Sequence, residues 1–285
     1  DNITTVTFNA MADGTHDNCT ITVTDNASNT RTLSVNTFTI GATKPALVEV
    51  TAVLPNPSKD NTPDYTFFST LSGTISHGGS CSSDNGSAVA MDNKTISFNT
   101  LADATYTSDN CTVRVTSNGV TSDDLSVTSF TIDTIAPTLS TVTIASNNSI
   151  TTMAKSDDII TLSITSSEAI RTPTVLIAGQ PATESGGNMT WSAVYPMASD
   201  DSDNVSVSLN ISFSDLAYNA GDNVTTTTDG SAVWFDRTPP TVTEVTAVPN
   251  PTNDNTSSYT FHSNDVGTIT YGGSCSSNSN DNISV

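Results

Sequence analysis

The sequence predicts an all-β protein, and three observations support that prediction. About a third of the 285 residues are serine or threonine, and threonine, valine and isoleucine favour pleated, half-buried strands. Asparagine, aspartate, glycine and serine separate the strand-like runs and favour turns. No segment rich in leucine, alanine, glutamate and lysine repeats with a helical period. The hydrophobic share of 35% suits thin cores in several small domains better than one large core.

One stretch occurs twice and organises the chain. It runs from Glu49-Val-Thr-Ala-Val to Gly-Gly-Ser-Cys81, and it returns from Glu244-Val-Thr-Ala-Val to Gly-Gly-Ser-Cys275. The first copy continues to a second cysteine in Asp-Asn-Cys111-Thr-Val. The matching continuation of the second copy, Asp-Asn-Cys19-Thr-Ile, stands near the start of the numbering. Internal repetition of this kind indicates an array of similar domains.

The repeat and the linkers divide the chain into four predicted segments. Residues 1–43 are the C-terminal half of a cysteine domain, and residues 44–133 are a complete cysteine domain. Residues 134–240 are a complete domain without cysteine. Residues 241–285 are the N-terminal half of another cysteine domain, which the next unit completes. Short linkers that contain proline predict an extended rod, because proline restricts the backbone.

Short alternating runs between turn residues predict the strands of each segment. In the first segment the predicted strands are 3–8, 19–24 and 32–40. In the complete cysteine domain they are 47–53, 65–69, 73–76, 88–91, 95–99, 112–116 and 125–132. In the domain without cysteine they are 140–144, 159–165, 174–177, 189–195, 205–213 and 232–235. Many short strands at close spacing are typical of a β-sandwich.

Several motifs resemble the bacterial immunoglobulin-like repeats of large surface adhesins. Residues 133–240 carry them most fully, in Asp133-Thr-Ile-Ala-Pro, Ser167-Glu168, and Asp215-Leu-Ala-Tyr-Asn219. In that family an Asp-Thr-Thr-Ala-Pro-Thr linker, a Ser-Glu pair and an Asp-Xaa-Ala-Gly-Asn turn recur. The cysteine segments match more weakly, for example in Asp25-Asn-Ala-Ser-Asn. The resemblance implies tandem immunoglobulin-like β-sandwiches in a cell-surface protein.

The chain departs from the family pattern at three places. Tyr218 and Ser28 stand where the family's turn has glycine, so the backbone of both turns is expected to differ. Gly41-Ala-Thr-Lys-Pro lacks the linker aspartate. That junction is therefore expected to differ from those at Asp133 and Asp236.

The four cysteines predict one disulfide inside a domain and one between units. Cys81 and Cys111 are the favoured intradomain pair, and closing that loop contributes roughly 3 kcal/mol. Two buried free thiols are the alternative. Cys275 and Cys19 are predicted to pair between successive units, because two whole sandwiches separate them in an extended rod. The unit is either one period of a longer repetitive polypeptide or a subunit that completes its neighbour by strand complementation.

Calcium is the predicted cofactor. The chain has 29 acidic residues against 8 basic ones, with a net charge of −21, and calcium takes six to eight oxygen ligands. Candidate ligands in the linkers and turns are Asp133, Glu168, Asp215, Asn219 and Asp236. The alternative is that these residues only form solvated turns.

The composition argues against several other functions. Nucleic acid and anionic membranes require basic patches, which this acidic chain lacks. We expect no direct membrane insertion, and any signal or anchor would lie outside the chain because it starts and stops inside predicted domains. No Gly-Xaa-Ser-Xaa-Gly elbow or histidine cluster indicates an enzyme. Asn93, Asn188 and Asn204 lie in sequons for possible glycosylation.

Two binding or structural functions fit these features. The favoured hypothesis is a structural repeat of an extracellular bacterial surface filament or adhesin stalk, in which identical or similar units follow head to tail. The alternative is an immunoglobulin-like module that binds carbohydrate or protein. An exposed aromatic cluster would favour the alternative, and the chain has only two tryptophans.

Overall fold

The computed structural model describes residues 3–277, apart from 13, 42 and 89, together with residues 282 and 283. Across those residues the chain is all-β and forms several separate sheets. None of them forms a helix long and apolar enough to span a membrane. The chain divides into two compact units. The four-segment division predicted from the sequence stays a prediction.

The first unit comprises Asp1–Thr138, Glu168–Arg171 and Phe213–Gly221. Its strands are β1 (Gly14–His16), β2 (Thr20–Thr24), β3 (Thr30–Ser34), β4 (Phe38–Ile40), β5 (Leu47–Thr51), β6 (Asp64–Ser69), β7 (Gly73–Gly79), β8 (Ser87–Ala88), β9 (Asp92–Ser97), β10 (Ala104–Tyr106), β11 (Cys111–Ser117), β12 (Val120–Thr121), β13 (Leu125–Ser126) and β14 (Phe130–Ile132).

Two antiparallel sheets contribute to one core in the first unit. One has the strand order β5-β6-β9, and the other has β12-β11-β7-β8 with β13 also paired to β11. Alternate residues of β6 and β11 point inward, as the pleat of a strand with one buried face requires. The buried side chains from both sheets form one cluster, which is consistent with a β-sandwich.

We call this cluster the cysteine core. Its buried members are Val53, Tyr65, Phe67, Ile75, Cys81, Ala88, Ile96, Phe98, Leu101, Tyr106, Cys111, Val113, Val115, Val127, Phe130 and Ile132. A disulfide joins Cys81 to Cys111, the pair favoured from the sequence, with their Cα atoms 5.1 Å apart. The bond links the turn after β7 to the start of β11, so it ties together two segments separated by 30 residues.

The second unit comprises Leu139–Ser167, Thr172–Ser212 and Asp222–Val285. Its strands are β15 (Leu139–Ser146), β16 (Met153–Ala154), β17 (Ile159–Ser166), β18 (Thr174–Ile177), β19 (Gln180–Pro181), β20 (Thr183–Gly187), β21 (Thr190–Pro196), β22 (Val205–Ser206), β23 (Leu209–Ser212), β24 (Trp234–Phe235), β25 (Val242–Thr246), β26 (Thr260–Ser263), β27 (Gly267–Thr268) and β28 (Asn282–Ile283). The main sheet has the order β15-β17-β21-β20. Smaller sheets have the orders β16-β24-β22 and β19-β18-β23.

Three predicted strands are each two strands in the structure. The predicted strand 125–132 is β13 and β14, which pair with β11 and β10 respectively. The predicted strands 32–40 and 205–213 divide in the same way, into β3 and β4 and into β22 and β23. Both pieces keep the alternating pattern, because a strand that bends from one sheet to another still has one inward face. The sequence pattern therefore concealed the bend.

One predicted strand is wrong, and another is wrong in part. Residues 3–8 form no strand, although the corresponding residues of the complete cysteine domain form β9 and pair with β6. In the predicted strand 88–91, Ala88 ends β8 and Met91 lies in a turn with φ 53° and 71% exposure. The apolar run Ala-Val-Ala-Met suggested a strand, but the chain turns there to enter β9. Val89 lies outside the described residues.

Candidate metal centre

A five-residue turn positions a buried acid of the first unit. Asp215 is 1% exposed, and the backbone N–H of Asn219 donates to Asp215 Oδ1 at 2.8 Å. The side-chain Nδ2 of Asn219 donates to Asp215 Oδ2, also at 2.8 Å. The backbone closes the turn with a bond from Asp215 N to Asn219 O at 3.1 Å. Aspartate and asparagine close such turns because their short side chains reach the local backbone.

Tyr218 takes a left-handed backbone conformation, which is favourable for glycine and costly for other residues. Its φ is 68°, and Ser28 has the same φ in the corresponding turn at residues 25–29. Both residues thus adopt the region that glycine favours, although neither turn has glycine at that position. Arg171 stacks over the Tyr218 ring at 4.2 Å, and Lys59 Nζ donates to the Tyr218 carbonyl at 3.2 Å. These contacts offset the steric penalty of a left-handed tyrosine.

A short segment carries the second acid beside this turn. Ile170 forms an isolated antiparallel bridge with Asp215, and Arg171 N donates to Ser214 O at 2.9 Å. Glu168 lies just before these paired residues and is half-buried. The bridge therefore fixes the backbone from which the Glu168 side chain extends.

The linker after β14 supplies the third acid. Asp133 N donates to Ser58 O at 2.9 Å, and the Asp133 carbonyl accepts from Asn219 Nδ2 at 2.7 Å. The Asp133 carboxylate also accepts a bond from Ile135 N at 3.2 Å. Asn219 thus bonds to both Asp133 and Asp215 and connects the linker to the turn.

Asp133, Glu168 and Asp215 form one cluster, which we call the acidic triad. One carboxylate oxygen from each lies within 4.8 Å of the other two. Asp215 is buried, and the other two residues are half-buried. All three, together with Asn219, belong to the first compact unit. The structure therefore brings together four of the five residues that the sequence nominated as cation ligands.

The charged form of Glu168 is destabilised within the acidic triad. Burial raises the pKa of Glu168 above its ordinary value of 4.5, and the charges of Asp133 and Asp215 raise it further. The folded protein therefore holds the Glu168 proton more tightly than the unfolded chain does. The stability that this group contributes is present at low pH and is lost as the pH rises through its raised pKa.

The donor set fits a hard divalent cation. It consists of carboxylate oxygens, with no histidine or cysteine among the three clustered residues. Calcium–oxygen distances are about 2.3–2.6 Å, so oxygens on opposite sides of one ion lie about 4.6–5.2 Å apart. Oxygens within 4.8 Å of one another can thus share one calcium ion. Asp133, Glu168 and Asp215 would hold the ion, and its charge would neutralise their mutual repulsion.

The substitution Glu168→Gln is expected to abolish most of the stabilisation by calcium. At a calcium concentration of 100 times Kd, one site on the folded state adds about 2.7 kcal/mol to the free energy of unfolding. Without calcium at neutral pH, the same substitution is expected to stabilise the protein, because it removes a carboxylate whose pKa is raised by burial and by Asp133 and Asp215. Calorimetric melting in EDTA and in calcium measures both effects.

Asp109→Asn is the matched control, since Asp109 is an exposed acid in the same unit. This variant removes one charge, and we expect its response to calcium to equal that of the unsubstituted chain. If Glu168→Gln and Asp109→Asn respond to calcium equally, the triad does not bind the ion.

The remaining predicted site residues lie elsewhere. Asp236 belongs to the second unit, where its carboxylate accepts from Thr238 N at 3.0 Å. It occupies in its own linker the position that Asp133 occupies after β14.

Cys19 is half-buried and Cys275 is exposed, and both are free thiols. The sequon residues Asn93, Asn188 and Asn204 are all exposed, and Asn204 Oδ1 accepts from Trp234 Nε1 at 3.0 Å.

Asp103 and Asp203 each accept hydrogen bonds from a linker. Asp103 accepts bonds from Thr134 N at 3.2 Å and from Thr134 Oγ1 at 2.9 Å. In the second unit Asp203 accepts bonds from Arg237 N at 2.9 Å and from Thr238 Oγ1. The Asp-Thr and Asp-Arg-Thr linker motifs were the available signal, because a linker threonine needs an acceptor.

A search of family models and of curated proteins finds no match to this chain.

Proposed function

We propose that this chain is a structural repeat of an extracellular bacterial surface filament or adhesin stalk. Its tandem immunoglobulin-like sandwiches form an extended rod, and identical or similar units follow one another head to tail. The observation that carries the proposal is that residues 3–41 and 241–277 match complementary halves of the cysteine domain at residues 44–133. A surface that differs at the two ends of a unit and fits the opposite end of another produces a filament.

The chemistry of the chain supports this function. The disulfide at Cys81–Cys111 suits an oxidising, extracellular compartment. The net charge of −21 keeps an exposed stalk soluble and makes it responsive to divalent cations. Calcium at the acidic triad would connect the linker residue Asp133 to the turn residue Asp215 and so restrict linker bending. Calcium is in this proposal the structural cofactor of the stalk.

Electron microscopy of the purified chain tests the proposed function. At high protein concentration with calcium and a mild oxidant, we expect unbranched filaments of one repeating unit in single file. Globular particles of monomer size under all these conditions would contradict the head-to-tail function. Side-by-side aggregates without a repeating unit would contradict it as well.

A carbohydrate- or protein-binding module is the second candidate. The observation that favours it is Trp234, a residue that is 44% exposed and whose ring could stack on a sugar. The other tryptophan, Trp191, is only 9% exposed and packs in the main sheet of the second unit. A glycan array probed with the chain and with Trp234→Ala separates the two functions. Tight binding that this substitution abolishes would favour the module over the stalk.

A further inference from the structure

The amino-terminal segment already has the local structure of the second half of a cysteine domain. The pairing of β1 with β4, Gly14 to Ile40 and His16 to Phe38, repeats that of β10 with β14, Ala104 to Ile132 and Tyr106 to Phe130. The pairing of β2 with β3 repeats that of β11 with β13, since Thr20 faces Ser34 as Thr112 faces Ser126. Phe8 and Phe38 stack at 6.1 Å, as do Phe98 and Phe130.

The carboxy-terminal segment has the local structure of the first half. The strands β25 and β26 pair with the same irregularity after Glu244 that β5 and β6 show after Glu49. The rings of Tyr259 and Phe261 lie 6.4 Å apart, and those of Tyr65 and Phe67 lie 6.3 Å apart. The two segments are therefore folded locally as the matching parts of the complete domain are.

Strong contacts join the two halves within the complete cysteine domain. The strand β7 pairs with β11 over six residue pairs, and β6 pairs with β9 over six more. The disulfide Cys81–Cys111 crosses between the same halves. The Glu49 carboxylate accepts from Thr128 N at 2.9 Å and from its hydroxyl at 2.6 Å.

The corresponding side chains of the two segments are exposed in this chain. Val23 is 66% exposed where Val115 is fully buried, and Tyr259 is 55% exposed where Tyr65 is fully buried. Phe8 is 45% exposed, against 2% for Phe98. Each segment thus presents to solvent the apolar face that the other half covers in the complete domain.

We propose that residues 3–40 of one copy of this chain complete the sandwich begun by residues 242–277 of a second copy. The inference rests on the proposed head-to-tail function and specifies the joint. The ladder of β7 with β11 predicts that Cys19 faces Gly273, Thr20 faces Gly272 and Thr24 faces Thr268. The ladder of β6 with β9 predicts in the same way that Val6 faces Tyr259.

Cys275 of one copy and Cys19 of the next then form a disulfide, as Cys81 and Cys111 do. Both are free thiols, one exposed and one half-buried, so an oxidant can reach them. With a small-molecule disulfide such as oxidised glutathione, each protein thiol loses its proton and the pair gives up two electrons. One sulfur–sulfur bond forms, the glutathione disulfide breaks, and the two protons leave on two reduced glutathione molecules.

Two glycines distinguish this joint from any other end-to-end contact. A Cβ at Gly73 would collide with the carbonyl oxygen of Thr116, and one at Gly78 would collide with Thr112 Oγ1. At the corresponding residues, Gly267 and Gly272, an added Cβ meets no atom of the described residues within 4 Å. Alanine is therefore tolerated there in the single copy. In the proposed joint it meets Thr24 and Thr20 of the next copy.

The test compares Gly267→Ala/Gly272→Ala with the control Gly41→Ala, whose added Cβ likewise meets nothing within 4 Å in the described part of the chain. Association is measured by analytical ultracentrifugation in reductant. We expect the double substitution to weaken association roughly tenfold or more, the effect of about 1.4 kcal/mol of overpacking. We expect the control to associate like the unsubstituted chain. Circular dichroism checks that each single copy remains folded.

Mapping of disulfides in a mixture of isotope-labelled and unlabelled chains completes the test. After oxidation we expect a ladder of linked species in which a labelled Cys275 peptide is joined to an unlabelled Cys19 peptide. If the double glycine variant associates into filaments as the unsubstituted chain does, and the Cys275–Cys19 peptide is missing, the joint is wrong while the head-to-tail function stands. A Cys19–Cys275 bond within single chains would overturn the joint. Monomers under every condition would contradict the joint and the proposed function together.

Discussion

Replacing Phe98 by alanine is expected to lower the free energy of unfolding of the cysteine core by about 3–5 kcal/mol. Phe98 is 2% exposed and occupies the centre of an aromatic row. Its ring lies 5.9 Å from that of Tyr65 and stacks on Phe130 at 6.1 Å, and Phe130 stacks on Tyr106 at 5.1 Å. The substitution removes the ring and leaves a cavity between ring neighbours on β6, β7 and β14, which their strands hold in place, so the surrounding side chains cannot fully collapse into it.

Urea unfolding followed by hydrogen exchange of β6 and β11 peptides measures this loss. The two tryptophans of the chain, Trp191 and Trp234, lie in the second unit, so their fluorescence is an internal control that we expect to stay unchanged. Phe8→Ala is the matched variant, since Phe8 has the corresponding position but is 45% exposed. In the single copy it is expected to change stability by less than about 1 kcal/mol. Equal losses for the two variants would show that Phe98 is not a core residue.

Removing the Cys81–Cys111 disulfide with Cys81→Ser/Cys111→Ser is expected to be the next most damaging change. The bond closes a loop of 30 residues, and the loss of that constraint on the unfolded chain lowers the free energy of unfolding by about 3–4 kcal/mol. Both positions are buried, at 4% and 0% exposure, so two serine hydroxyls in the core add to the loss. Calorimetry is expected to show a fall of roughly 12–30 °C in the melting temperature of the cysteine core.

Cys19→Ser/Cys275→Ser is the control for the disulfide. It removes the same number of thiols from the two free positions, and we expect the melting temperature of the single copy to stay unchanged. If both double variants melt alike, the Cys81–Cys111 bond contributes nothing to stability. If only the control changes melting, the free cysteines have a structural role in the single copy.

The sequence predicted the fold class because strand formation depends on local pattern. Alternation in residues such as those of β6 and β11 places one face inward whatever the partner strand is. The Cys81–Cys111 disulfide could also be predicted from the sequence, since the repeat places both cysteines in one segment. The residue matching that underlies the proposed joint likewise comes from the repeat.

The candidate metal centre could be nominated but not assembled from the sequence. The sequence nominated Asp133, Glu168, Asp215 and Asn219 as oxygen-bearing residues of linkers and turns, at positions up to 86 residues apart. Only the folded chain shows that the Ile170–Asp215 bridge and the Asn219 side chain bring the acids together. The same reasoning from linker acids nominated Asp236, which lies in the other unit. Sequence motifs identify residues with suitable oxygens, whereas the distances between them depend on the whole fold.

By itself, the sequence determined an all-β chain with a repeated cysteine motif and an acidic surface, because composition, alternation and repetition are properties of the chain alone. The tertiary structure decided where strands bend between sheets, as β13 and β14 do, and where a strand-like pattern forms no strand, as in residues 3–8. It also decided which acids share one site and which apolar faces stay open. These outcomes depend on contacts between distant segments, and a local pattern carries no information on which distant segment will be its neighbour.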